Sequence, residues 1–410
     1  MSVKRNFSVL AIFELRCVDG CSPLLAVVTL LVASACTPSA ARSQSSPVAA
    51  AHARAPELVQ VPRTIIGPET TTDIPELYQQ STRDGQAHRF AEAARGFERA
   101  YGLDPDGPLA ASSLFECAEM LDLDGAHDAA LSRYEQVVRR FPEHELTREA
   151  AIRALRLLTF LERYQRAGEL ASWVLEKFPA LPPIDRIVAL SSRALERDAV
   201  GDSERAEYFV EKGREIVEGE RLDAAGRLPT ELAELYYALG EARRLRAERI
   251  RFVPVPSNFG AVLEQRCQLL LDAQSAYSDA MRAYDAHWSA MAGFRVGELY
   301  QRLHADLMAV TPPKSADTVR RRQLFEGAMR LRYAILLEKA KAMMDHTLLM
   351  AARTGEQSSW VKRSADARDA IAQAMAEEAA ALSRLPYSRE ELQAALDSFS
   401  AAGSSRPTKP

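Results

Sequence analysis

The chain has 410 residues, of which 47% are hydrophobic, and a formal net charge of −4. This length is enough for two or three domains with cores of their own, and the charge excludes a globally basic nucleic-acid-binding protein. Alanine, leucine, arginine and glutamate dominate, and these residues favour helices. Strictly alternating apolar and polar stretches are almost absent, which argues against a β-sheet.

The N-terminus has the pattern of an export signal. Basic residues (Lys4, Arg5 and Arg16) precede the apolar run 24–33, which is short for a membrane span and suits a signal peptide. The following segment Leu31–Cys36 resembles a bacterial lipobox, in which a cysteine becomes diacylated. We therefore interpret residues 1–35 as a lipoprotein signal peptide and Cys36 as the lipidation site. The alternative is ordinary signal-peptidase cleavage after Ala35.

A lipidated Cys36 implies a cell-envelope protein, and Thr37 after it favours an outer-membrane lipoprotein that faces the periplasm. Residues 36–75 are rich in serine, alanine and proline without any periodicity, so we expect a disordered tether. Residues 401–410 are expected to form a disordered tail.

The body of the chain contains an internal repeat. Alanines recur at 93, 130 and 167, and prolines recur at 105, 142 and 179, each set with a spacing of 37 residues. Phe97 and Tyr134 lie four residues after the first two of these alanines. Ala100, Val137 and Val174 lie seven residues after the three alanines. Small residues let two helices approach closely, aromatic residues fill the space between pairs, and proline ends the second helix.

This spacing resembles the tetratricopeptide repeat (TPR), a pair of antiparallel helices. The resemblance implies an all-α fold, a TPR-like right-handed α-solenoid of antiparallel helix pairs followed by a C-terminal helical bundle. It covers residues 76–250 and is strongest in the first three repeats. A weaker fourth copy contains Ala206, Val210 and Gly213, and Tyr236, Leu239 and Gly240 suggest the first helix of a fifth copy.

A second helical domain is expected over residues 260–400, after a break at Phe252–Asn258. Residues 260–309 contain no proline, and Tyr277, Met281, Tyr284, Trp288 and Met291 in them predict one long helix with a short a/d seam. The alternative is a degenerate repeat, because Val296–Tyr300 resembles the first helix of a repeat. Further helices are predicted over Val319–Arg353, Ser358–Arg384 and 388–400. The aromatic and methionine stripe is expected to form core packing, with a partner site as the alternative.

The sequence offers no recognisable catalytic or cofactor motif. It contains no HExxH, no phosphate-cradling glycine loop and no GxSxG elbow, and its seven histidines have no zinc-ligand spacing. We therefore expect no enzyme activity, no cofactor and no metal. Two basic clusters, Arg243–Arg251 and Arg320–Arg322, are expected to be solvated, with anionic lipid or polysaccharide contact as the alternative.

The resemblance also implies a partner-binding groove along the first helices. Transferred position by position, its predicted residues are Tyr78, Thr82, Ser112, Phe115, Glu119, Asp122, Glu149, Ile152, Arg156 and Thr159. Packing of this face against the tether or the C-terminal helices is the alternative. The implied function is a protein-protein interaction scaffold of an envelope complex, without nucleic acid. A soluble periplasmic subunit that senses peptides or glycans is the alternative, and a helical-repeat enzyme is a third hypothesis.

Overall fold

We describe residues 73–224 and 228–395 of a computed structural model. Within these ranges every regular element is a helix. The helices are α1 (Ile74–Gln86), α2 (Phe90–Leu103), α3 (Ala110–Leu123), α4 (His127–Arg140), α5 (Leu146–Phe160), α6 (Tyr164–Lys177), α7 (Pro183–Ala199), α8 (Ser203–Gly219), α9 (Leu232–Glu248), α10 (Phe259–Arg282), α11 (Ala286–Met308), α12 (Val319–Thr354) and α13 (Ser359–Ser383). A further helical stretch covers residues 389–395.

The helices pack as successive pairs. Each odd-numbered helix from α1 to α11 packs on the even-numbered helix that follows it, and short connections make most of these pairs antiparallel hairpins. From α3 onward, each first helix of a pair also contacts the first helix of the next pair, and α11 contacts α13 in the same way. The fold is therefore an all-α solenoid of TPR-like helix pairs.

The second helices share one buried pattern. In each second helix, a small residue is followed four positions later by a larger or apolar residue. Three positions after that comes another small or β-branched residue, and all three residues are buried. The sets are Ala93, Phe97 and Ala100; Ala130, Tyr134 and Val137; Ala167, Ala171 and Val174; Ala206, Val210 and Gly213; Ala273, Tyr277 and Ala280; and Ala340, Met344 and Thr347. The pattern predicted for the first four repeats is confirmed, and two further copies lie in α10 and α12.

Close helix contacts explain the small residues of these later pairs. A Cβ atom on Gly240 of α9 would lie 2.5 Å from the ring of Tyr277 on α10, and one on Gly297 of α11 would lie 2.6 Å from the terminal methyl of Met344 on α12. At Gly240 the two helices thus approach to a distance that a larger residue would not fit, whereas at Gly297 the flexible end of Met344 would have to move. The C-terminal helices continue the pairwise stacking of the N-terminal repeats.

Several predicted helix ends are confirmed. α2, α4 and α6 each end two residues before Pro105, Pro142 and Pro179, as expected for a residue that cannot continue the helical hydrogen-bond ladder. α12 ends at Gly355, whose φ of 78° is the left-handed conformation that glycine adopts readily.

The single helix predicted over residues 260–309 is wrong. The chain reverses at Tyr284, whose φ is 61°, and Asp285 then caps α11 by accepting a hydrogen bond from the Trp288 backbone N–H at 2.8 Å. Because Tyr277 and Met291 lie on two different helices, the predicted a/d seam does not exist as one face.

Candidate functional site

The first helices of five successive pairs line one cavity. Its volume is about 710 Å³, within the range of about 300–1,000 Å³ that is typical of ligand pockets. We call it the inner cavity. Its walls come from the end of α3, the start of α4, the length of α5, the start of α7, the start of α9 and the start of α11. The lining residues used below are Asp122, His127, Arg148, Glu149, Ile152, Arg153, Arg156, Phe160, Asp185, Glu231, Glu234, Asp285, His287 and Trp288.

Ion pairs hold two arginines of α5 against the wall. Arg148 pairs with Asp185 at 2.8 Å, and Arg153 pairs with Glu119 and Glu149, each at 3.0 Å. All five side chains are partly exposed, so each pair adds little to stability. Their effect is to fix the direction of the guanidinium groups along the cavity wall.

The other end of the cavity carries charges outside such pairs. Arg156 is exposed on α5, whereas Glu231 directly precedes α9 and Asp285 directly precedes α11. Asp285 uses one carboxylate oxygen to cap α11. Within residues 73–224 and 228–395, no ion pair joins Glu231 or Asp285 to a basic side chain; the neighbouring arginines Arg148 and Arg153 pair elsewhere.

Glu234 is a buried carboxyl at this same end. It lies in the first turn of α9, is 4% exposed, and accepts a hydrogen bond from the Ser192 hydroxyl at 3.2 Å. Burial raises the pKa of Glu234 to about 8, and the negative charge of Asp285 acts in the same direction, against the nearby Arg156. At neutral pH the wall therefore presents a protonated carboxyl here, which can donate as well as accept a hydrogen bond.

A stack of rings forms one edge of the cavity. The ring of Phe160 stacks on His287 at a centroid distance of 4.0 Å and meets His127 edge-on at 4.7 Å. Asp122 contacts Nδ1 of His127 at 2.8 Å, and Glu356 contacts Nδ1 of His287 at 3.4 Å. Burial lowers the pKa of His287, and its Nε2 is buried without a hydrogen-bond partner in the described part of the chain.

The same three rings line a second cavity of about 530 Å³. This second cavity lies against the loop before α13 and includes Glu162. Arg363 of α13 donates two hydrogen bonds to the Glu162 carboxylate, at 3.0 and 3.1 Å. The ring stack and this ion pair therefore join the third helix pair to the last helices across 201 positions of sequence.

A buried ionic network supports the wall that α9 and α11 form. Glu241 is 6% exposed and contacts Arg244 at 2.8 Å and Arg295 at 2.9 Å, and it accepts a hydrogen bond from Tyr277 at 2.5 Å. Burial opposes the charged form of Glu241, but the two guanidinium groups outweigh it and lower its pKa to about 2. An ion network of this kind specifies how α9, α10 and α11 pack, because each charge needs its partners in place.

Four of the ten predicted groove residues line the inner cavity: Asp122, Glu149, Ile152 and Arg156. Glu119 lies next to it through its ion pair with Arg153. Tyr78, Thr82 and Ser112 lie outside it, the first two on α1 and the third on α3. Whether these residues bind a partner stays a prediction.

Two of the predicted groove residues are part of the protein interior. Phe115 is 5% exposed and packs edge-on against Tyr134 at 5.5 Å, and Thr159 is fully buried with its hydroxyl donating to the Leu155 carbonyl. Phe115 thus packs inside the helix pairs, whereas the side chain of Thr159 also forms a hydrogen bond with Glu234 of the inner cavity.

The sequence assigns α9 to the first helix of a fifth copy through Tyr236, Leu239 and Gly240, but none of the predicted groove residues lies on α9 or α11. Glu231, Glu234, Asp285, His287 and Trp288 all lie beyond the 37-residue period. The sequence does contain a signal for their register, since Ala273, Tyr277 and Ala280 have the spacing of the earlier repeats. That signal would place the preceding helix, α9, on the same wall as α5 and α7.

Metal and membrane features can be stated only for residues 73–224 and 228–395. There, no group of three or more histidine, cysteine, aspartate or glutamate side chains is arranged to hold a metal ion. No helix in these ranges is long and apolar enough to cross a membrane. Cys36, the predicted signal peptide and nearly all of the predicted tether lie outside the described residues, as does the tail.

Comparison with known proteins finds no protein-family model and no curated protein that match this sequence. Solved structures similar to the chain include a tetratricopeptide repeat protein from Parabacteroides merdae, with a TM-score of 0.38 and 15% identity, covering 73% of this chain and 98% of that one. A putative kinesin light chain from Podosopora anserina with TPR-like repeats has a TM-score of 0.32 and 17% identity, covering 51% and 97%. The helix pairs described above, rather than these similarities, define the fold.

Proposed function

We propose that this chain is a non-enzymatic scaffold that binds segments of other proteins in the inner cavity and helps organise a complex of the bacterial cell envelope. The observation that supports this most is the cavity itself. Five first helices contribute their ends to it, and it combines apolar side chains, fixed ion pairs and unpaired charges. Such a surface can recognise a short segment of a partner by shape and charge together.

Stacked helix pairs suit this task for a physical reason. Each pair contributes one helix to the wall and buries the other, so the wall grows with the number of pairs while the core remains continuous. The ionic network around Glu241 connects two successive pairs, and the ring stack at Phe160 connects the third pair with α11. A wall held in this way loses little conformational freedom when a partner binds, which favours affinity.

We further propose that the scaffold is anchored by lipid on Cys36 in the outer membrane and faces the periplasm. The support is the lipobox-like segment 31–36 and the proline-rich composition of residues 36–75. Lipidation of this kind adds more than one acyl chain, which anchors stably.

A crosslinked affinity capture from native envelopes tests the scaffold function. The variant Glu149→Ala/Arg156→Ala removes two exposed side chains from the cavity wall, whereas Arg139→Ala/Glu176→Ala removes an arginine and a glutamate that are exposed on second helices. We expect one set of proteins to be captured by the wild type and the control and lost by the cavity variant. Capture of the same set by all three proteins would exclude the cavity as the working surface.

Fractionation without detergent tests the anchor. We expect the wild type in the membrane fraction and Cys36→Ser in the soluble fraction, with an acylated N-terminal peptide detected by mass spectrometry only in the wild type. An unmodified Cys36 in a soluble wild-type protein would instead favour the alternative, a soluble periplasmic subunit that senses peptides or glycans.

A further inference from the structure

The charges of the inner cavity are not balanced. Six acidic residues line it, Asp122, Glu149, Asp185, Glu231, Glu234 and Asp285, and three arginines face them. Two of the three arginines are already held in ion pairs within the wall. Acidic side chains in the lining therefore outnumber the arginines, and within residues 73–224 and 228–395 no ion pair joins Glu231 or Asp285 to a basic side chain.

This excess is concentrated where α9 and α11 begin. Glu231 and Glu234 are three residues apart at the start of α9 and so share one face of that part of the chain. The charge of Asp285, at the start of α11, acts on Glu234. The positive charge of Arg156 acts on Glu234 in the opposite direction, and burial keeps the proton on Glu234.

The imidazole of His287 is an independent indication of a missing ligand at this end. It lines the cavity, is 8% exposed, and has Nδ1 beside Glu356, whereas its Nε2 has no partner within the described residues. Because the ring is held neutral, a hydrogen from Nδ1 to Glu356 leaves Nε2 as an acceptor. A buried acceptor without a donor is costly, so this position favours a ligand that brings N–H groups.

Aromatic rings complete this end of the cavity. Trp288 and Phe160 line it next to His287, and Trp288 is fixed by packing on Tyr237 at a centroid distance of 5.2 Å. Indole and phenyl faces attract cations when these lie within about 6 Å. Carboxylates, an unfilled acceptor and aromatic faces together match an ammonium or guanidinium group on an aliphatic stem.

We propose that the end of the inner cavity formed by Glu231, Asp285, His287 and Trp288 binds a lysine or arginine side chain of the partner's segment. This rests on the proposed function, because it specifies which chemical feature of a protein segment the scaffold recognises. Glu231 and Asp285 supply the charge, and the rings pack against the aliphatic stem of the bound side chain.

Selection from a random peptide library displayed on phage, with the purified full chain as the immobilised protein, tests this. We expect the retained peptides to be enriched in lysine or arginine at one position. For a peptide so selected, the variant Glu231→Gln/Asp285→Asn should weaken binding by about tenfold or more, as measured by isothermal titration calorimetry. Asparagine preserves the cap of α11, so the helix should stay intact, which circular dichroism checks.

Two further variants keep the test independent of folding defects. Asp124→Asn/Glu176→Gln removes the same charge from exposed positions outside the cavity and should bind like the wild type. Glu231→Lys should shift the selection toward peptides with aspartate or glutamate, a gain that an unfolded protein cannot produce.

The outcomes separate the two proposals. Retained peptides without basic enrichment, or equal binding by the Glu231→Gln/Asp285→Asn variant, would overturn the inference and leave the scaffold function standing. Retention of no peptide at all would overturn the inference together with the cavity's role in binding protein segments.

Discussion

Replacing Glu234 with glutamine should change how the stability of the protein depends on pH. In the native chain, burial raises the pKa of this carboxyl to about 8, from an ordinary value of 4.5 in the unfolded chain. As the pH rises between these values, the unfolded chain releases the proton while the native chain retains it. The free energy of unfolding therefore falls as pH rises through this interval, and the stabilising contribution present at low pH is lost.

The size of this effect follows from the two pKa values. At 1.36 kcal/mol per pH unit, linkage between 4.5 and 8 amounts to a loss of about 4 kcal/mol on going from pH 5 to pH 9. Glutamine keeps the volume of the side chain and can still accept the hydrogen bond from Ser192, but it does not titrate. Glu234→Gln should therefore have similar stability to the wild type near pH 5 and exceed it by several kcal/mol near pH 9.

Urea unfolding followed by circular dichroism at a series of pH values gives the required free energies. Glu231→Gln is the matched control, since it makes the same substitution at a partly exposed side chain just before α9. Because Glu234 stays buried in this variant, the loss of stability between pH 5 and pH 9 should persist. Parallel curves for Glu234→Gln and the wild type would refute the argument and mean that Glu234 is charged in the native protein.

Three other substitutions or measurements test the packing of the helix pairs. Gly240→Ala should lower the free energy of unfolding by about 1–3 kcal/mol, because the new methyl group would lie 2.5 Å from the ring of Tyr277. The control Gly102→Ala adds a methyl group with no neighbour within 4 Å. It should cause no loss of unfolding free energy in the same urea titration. Glu241→Gln should cost about 3–5 kcal/mol, seen as a lower melting temperature, since it leaves two buried guanidinium groups without a charge partner. The Cys117 thiol is buried, and this burial raises its pKa to about 11. It should therefore resist iodoacetamide in the native protein and react after unfolding, as measured by peptide mass mapping. Rapid labelling of the native thiol would contradict its burial.

The helix pairs could be predicted where local chemistry and tertiary packing agree. Ala93, Phe97 and Ala100 repeat at 37-residue spacing with Pro105, and each of them has the place in the helix pair that the pattern predicts. The end of α12 could be predicted for the same reason, since Gly355 is a local stop. In these segments the residues that end or space a helix are close in sequence to the residues that pack.

The turn at Tyr284 could not be predicted in this way. A tyrosine in the left-handed conformation is uncommon, and no glycine or proline marks the reversal. The available signal was Asp285, a residue that favours helix N-caps, but an aspartate within a helical stretch is also common on exposed faces. The packing of α11 on α9 and α12 decides between the two.

The candidate site was predictable only as far as the repeat period extended. Asp122, Glu149, Ile152 and Arg156 were placed on the correct wall because they lie within that period. Charged residues on a helix are expected to be solvated, so nothing local distinguishes the buried Glu234 from an exposed glutamate. Its burial comes from the packing of α9 on α7, and Ser192 of α7 and Thr159 of α5 form hydrogen bonds with it.

The inner cavity crosses the boundary between the two predicted helical regions, residues 76–250 and 260–400. Through α3, α5 and α7 the first region supplies the paired arginines of the inner cavity, and just before its last helix, α9, it supplies the unpaired Glu231. In the second region, α11 supplies Trp288 and directly follows the unpaired Asp285. The two regions therefore contribute different chemistry to one surface, with α9 at the junction through contacts with both α7 and α11. A change that shifts α11, such as loss of the network around Glu241, should alter the acidic end of the cavity while the arginine wall of α5 stays in place, because the pairs of Arg148 and Arg153 involve only α3, α5 and α7.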